Sequence, residues 1–121
     1  MMHYMLIYFE NAEELSKREN PGEAEAYWGG WNAYMGAMAQ TGVMVSGNGL
    51  KPPATGTTLR VVDGKRHVLD GPFADTKEML GGYVIIDVAN LDDALEWAAR
   101  APCVSAGSVE VRPVLDPPSA G

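Results

Sequence analysis

Two short apolar runs, each followed by a tract with helical spacing, constrain this chain more than any other feature. His3 to Phe9 is a near-continuous apolar run that reads as a buried strand at this length. The tract Glu23 to Thr41 carries apolar or small residues at Ala24, Trp28, Trp31, Met35 and Met38, the spacing of one helix face, and Gly42 stands at its stop. A strand is expected at 43–46, then a loop from Gly47 to Gly56 stiffened by Pro52-Pro53. Asp63-Gly64 between 57–62 and 65–69 is a hairpin signal. Gly81 to Val88 holds the second run, Tyr83-Val84-Ile85-Ile86, and predicts a strand. Leu91 to Ala101 predicts a helix with Asn90 as N-cap, and Ser108 to Leu115 a last strand. Residues 10–22 read as a polar loop.

The order β-α-β, hairpin, β-α-β predicts an α+β domain over residues 1–116: a ferredoxin-like antiparallel sheet, two helices on one face and an inserted hairpin. Residues 117–121, opened by Pro117-Pro118, are expected to be a disordered tail. Helices on one face leave the other face bare, and 46% of the 121 residues are hydrophobic. Self-association is the simplest cover, so a homodimer is expected. A net charge of −7, with Lys and Arg totalling 9, disfavours nucleic acid, whose phosphates are held by clustered cations. Cys103 is alone, so no intrachain disulfide forms. No basic region precedes a long apolar run, and no run approaches the roughly 18 residues of a membrane span. A cytoplasmic protein is expected.

Asp70-Gly71-Pro72-Phe73-Ala74-Asp75-Thr76-Lys77-Glu78 joins two apolar stretches through turn-forming pairs. Pro72 pushes Gly71 toward extended backbone, and the Asp70 carboxylate can bond N–H groups two residues on. Asp70 reads as a general acid or base, or as the cap of its own turn. Phe73 reads as a ligand wall or a core plug, and Lys77 as an anion contact or half of a surface ion pair. His67, three residues before Asp70, is a candidate catalytic partner or a solvated strand histidine; His3 is a cleft residue or a sheet histidine. Tyr27, Trp31 and Tyr34 share one side of the first long helix, with Trp28 beside them. They pack on the sheet or line a pocket for an apolar ligand. The Gly29-Gly30 pair in that helix marks a close approach by another chain or a ligand. His3, His67 and Cys103 have no metal-ligand spacing, and no dinucleotide or phosphate loop is present, so neither metal nor cofactor is expected.

Leu69 to Glu78 resembles the "TDGPFAETKE" run of the DGPF-domain branch of the YCII-related family. Gly47-Asn48-Gly49-Leu50-Lys51-Pro52-Pro53-Ala54-Thr55 resembles its "GEGLQPPAT" loop. His3 to Tyr8, Gly81-Gly82-Tyr83 and Gly107 to Pro113 fit as well, so the resemblance runs from residue 3 to about 116. It implies a dimeric α/β-barrel of ferredoxin-like subunits with a cleft near the Asp70 turn. Some members carry a His-Asp pair there, the His on the first helix. Asp70 matches that Asp, but the helix here has no histidine, and Tyr27 and Trp28 stand near its place.

Two function classes follow. One is a cofactor-free enzyme in which Asp70 moves a proton on a small organic acid, lactone or cyclic ketone. The other is a non-catalytic dimeric module that binds a ligand or a protein, with a regulatory role beside a sigma factor.

Overall fold

Alternation along the first strand decides which side of the sheet becomes the core. The computed structural model of the chain describes residues 1–72 and 76–115. In strand β1, Met2–Asn11, the side chains of Tyr4, Leu6, Tyr8 and Glu10 are buried, while Met5, Ile7 and Phe9 between them are half-buried. Strand β5, Glu78–Val88, runs antiparallel beside it, with Leu6 opposite Val84 and Tyr4 opposite Ile86. Apolar pairs therefore line one face. Strand β6, Ser108–Pro113, pairs with the other side of β1, and strand β2, Met44–Gly49, with the far side of β5. The order is β2-β5-β1-β6, antiparallel throughout.

Two helices cover the buried face. Helix α2, Ala24–Thr41, contributes Trp31, Tyr34 and Met38; helix α3, Leu91–Ala99, contributes Ala94 and Ala98. The small alanines let α3 approach the strands closely, and the rings of α2 fill the wider gap. Tyr8 and Tyr34 meet with their hydroxyls 2.9 Å apart, and Tyr34 donates onward to the Trp97 carbonyl at 2.9 Å. Tyr8 is therefore the donor to Tyr34, and both buried hydroxyls are paired. Gly42 takes the left-handed backbone (φ 78°) that ends α2, and the Asn90 side chain accepts from the Asp93 N–H at 2.9 Å to open α3.

Several boundaries differ from those read in the sequence. Helix α1, Ala12–Ser16, occupies part of the expected 10–22 loop. Asn11 caps it, accepting from the Glu14 N–H at 2.8 Å. Strand β2 extends through Gly47-Asn48-Gly49, read above as loop, because backbone pairing with β5 needs no side chains there. Helix α3 stops before Pro102, and β5 begins at Glu78.

The hairpin stands as its own two-stranded sheet. Strand β3, Thr57–Val62, pairs with strand β4, Lys65–Asp70, through a turn in which Asp63 and Gly64 both have positive φ. Leu59, Val61, Val62, Val68 and Leu69 are all exposed on it. The Asp70 turn is built differently from expectation. Gly71 is left-handed (φ 89°), not extended. Its N–H donates to the Gly56 carbonyl at 2.7 Å, and Thr58 Oγ1 donates to its carbonyl at 2.7 Å. These bonds pin the turn to β3. The Asp70 carboxylate makes no hydrogen bond among the described residues. Phe73 and the expected tail lie outside the described residues.

Candidate functional site

The alternation of β1 carries a carboxylate into the core. After Tyr4, Leu6 and Tyr8, the next inward position is Glu10, only 2% exposed. An isolated buried carboxylate is costly, so its surroundings must answer it. The Tyr27 hydroxyl lies 2.7 and 2.9 Å from its two oxygens, and Arg18 Nη2 donates to Oε2 at 3.2 Å. Arg18 also donates through Nε to the Tyr27 oxygen at 2.9 Å, and to the carbonyls of Leu50 and Gly81. Its guanidinium lies 5.7 Å from the Tyr27 ring centre and 5.3 Å from that of Trp28. One arginine thus ties β1, the turn before α2, the segment after β2, and β5 into a single wall.

Glycines make room for this wall. Between Tyr8 and Phe9 the β1–β5 register shifts, so Gly81 is the extra residue of a bulge. Its carbonyl accepts from the Leu50 N–H at 2.9 Å as well as from Arg18. A Cβ at Gly81 would lie 2.6 Å from Glu10 Oε2, so any larger residue collides with the ion pair. Gly82, opposite Tyr8, and Gly49, opposite Gly82, complete a floor without side chains on the helix-facing side of the sheet.

Above that floor lies a cavity of about 150 Å³. Tyr27, Trp28, Trp31, Asn32 and Met35 of α2 form one wall; Tyr8, Glu10 and Arg18 form another. The rings are braced edge to face, Tyr8 against Trp31 at 5.0 Å and Tyr27 against Trp28 at 4.9 Å between centres. Burial, with the Glu10 carboxylate alongside, pushes the Tyr27 hydroxyl up to about 12, against the opposite pull of Arg18. Tyr27 is therefore protonated at neutral pH and holds Glu10 by hydrogen bonding.

A YCII-related domain model matches residues 1–117. The chain belongs to the YCII-related family. A relative from Rhizobium meliloti (strain 1021), "Uncharacterized protein R00369", is 35% identical over 116 residues, covering 94% of this chain and 92% of its own.

Within this YCII-related chain the expected site residues fall in different places. Tyr27, Trp28 and Trp31 come together at the cavity. Asp70 is exposed at the end of β4, opposite Thr57. His67 is exposed opposite Arg60, and three residues along one strand point it away from Asp70. His3 stands 3.8 Å from Asp87 on the other face of the main sheet, and Lys77 is exposed in the bend before β5. Neither lines the cavity. Glu10, Arg18 and the three floor glycines join the site without being among the residues expected there. The inward phase of β1 points to Glu10, whereas nothing local points to Arg18. Among the described residues no group of three or more His, Cys, Asp or Glu could hold a metal, and no helix is long and apolar enough to cross a membrane.

Proposed function

We propose that this chain is a homodimeric, ferredoxin-like binding module that takes a small apolar molecule between α2 and the glycine floor. The observation that carries this reading is the cavity itself: aromatic walls, a floor of three glycines, and a charged pair already neutralised within the wall. Aromatic walls with few polar groups are the usual make-up of a small-molecule site. The strand order, with α2 and α3 on one face, supports the ferredoxin-like assignment. Met5, Ile7, Phe9 and Ile85 on the opposite face, with the apolar hairpin, offer a second copy a surface to cover.

The acid/base reading centred on Asp70 draws less support. Its carboxylate has no hydrogen-bonded titratable partner among the described residues and lies outside the cavity lining.

Gly49 supplies the test. A Cβ there meets nothing within 4 Å, so Gly49→Leu should plug the cavity without disturbing the strand. Benzene, which enters dry apolar cavities of this size, should shift the indole N–H signals of Trp28 and Trp31 in wild-type NMR spectra. Trp97, away from the cavity, should stay still. Gly49→Leu should abolish the shifts. Unshifted wild-type signals, or equal shifts in the plugged variant, would refute the reading.

A further inference from the structure

The lining of the cavity specifies the charge and polarity of its occupant. We infer that it takes an uncharged single-ring aromatic compound bearing one hydrogen-bond acceptor of the carbonyl type; this rests on the binding reading above.

Size comes first. A space of about 150 Å³ matches one six-membered ring with a short substituent. Charge comes second. A cationic ligand would seek the ring faces of Tyr27 and Trp28, but the Arg18 guanidinium already lies over both. The carboxylate that could attract it, Glu10, has both oxygens engaged by Tyr27 and one also by Arg18. An anionic ligand would need a free cation. Arg18, the only cation in the lining among the described residues, is held by Glu10, the Tyr27 oxygen and two backbone carbonyls. The chain's net charge of −7 repels anions further.

What remains is hydrogen bonding. Asn32, exposed at the rim on α2, has no side-chain partner among the described residues. The indole N–H of Trp31 has none either. No fully buried polar side-chain atom is left unpaired among the described residues, so that N–H is not sealed from solvent, and Trp31 lines the cavity. The Asn32 amide can donate or accept, whereas the indole only donates; the acceptor that both can serve, on a neutral ring, is therefore the group this lining favours.

Four probes of nearly equal shape test this: acetophenone, ethylbenzene without the acceptor, benzoate and benzylammonium. Each is titrated into the wild-type protein at pH 7, following the indole N–H signals of Trp28 and Trp31. Acetophenone should bind roughly fivefold more tightly than ethylbenzene, the worth of one ordinary hydrogen bond. Both ions should bind more weakly than ethylbenzene. Asn32→Ala, which favours the helix and so keeps the fold, should narrow the gap between acetophenone and ethylbenzene. Equal affinity of those two in the wild type would overturn the acceptor assignment. Benzoate or benzylammonium binding as tightly as acetophenone at the same indoles would overturn the charge assignment while leaving the cavity a binding site. Unmoved indoles with all four probes, and with benzene, would sink both readings together.

Discussion

At the residue scale, a charged group in a core is tolerated only as long as its partners remain. Arg18→Met would leave the Glu10 carboxylate buried beside Tyr27 alone, and should destabilise the fold by about 3–5 kcal/mol. Glu10→Gln keeps an acceptor for Tyr27 and leaves Arg18 its two carbonyls, so about 1–3 kcal/mol is expected. Urea denaturation of both variants checks the order; a smaller loss for Arg18→Met than for Glu10→Gln would contradict it. The tyrosines give a second handle. Burial raises Tyr27 and Tyr34 to about 12 and Tyr8 above its ordinary value of 10.0. A raised tyrosine holds its proton more tightly folded than unfolded. Its stabilisation is complete below pH 10.0 and is lost as the pH climbs toward and through 12. Absorbance at the tyrosinate band should therefore show Tyr8, Tyr27 and Tyr34 ionising only as the protein unfolds in alkali. Burial likewise pushes the Cys103 thiol up to about 12, so a thiol reagent at pH 8 should react only after unfolding.

At the element scale, the glycines divide by what surrounds them. Gly47 lies where a Cβ would sit 2.8 Å from the Tyr83 carbonyl oxygen and 2.9 Å from Val84 Cγ2. Gly47→Ala must therefore push β2 off β5. Gly29, inside α2, has nothing within 4 Å of a Cβ, and at Gly30 the nearest atom is 3.9 Å away on Pro102. Within the chain, a Cβ at Gly30 makes only ordinary contact with Pro102, and one at Gly29 meets open space. Gly29→Ala should then stabilise by up to about 1 kcal/mol through helix propensity alone. Thermal unfolding separates the two cases: a higher midpoint for Gly29→Ala, a lower one for Gly47→Ala. A loss of stability in Gly29→Ala would place another molecule against that turn of α2. The hairpin poses a different problem, since a two-stranded ribbon on its own is only marginally stable in water. Its exposed Val61 and Val68 gain little from the main sheet.

At the scale of the whole molecule, that unburied surface bears on assembly. If a second copy covers the open sheet face and the hairpin, light scattering should give twice the chain mass of 13.0 kDa. The thermal midpoint should also rise with protein concentration. A particle of 13.0 kDa with a concentration-independent midpoint would argue for a monomer.

Local patterns in the sequence determine much of this protein. The run His3–Phe9, the spacing of Trp28, Trp31, Met35 and Met38, the Asp63-Gly64 turn, the Gly42 stop and the Asn90 cap each act within a few residues, and each element formed where its pattern stands. Even Glu10 is legible, as the next inward step after Tyr8, and the three-residue spacing of His67 and Asp70 already sets them on opposite sides of a strand. The site was not legible as a whole, because its parts meet only across the sheet. Arg18 reaches Gly81 over 63 positions of chain, and Gly81 became a bulge only when β1 and β5 fixed their register. Long-range pairing decides such contacts: the energy that holds Glu10, Arg18 and Tyr27 together exists only after burial has stripped water from all three.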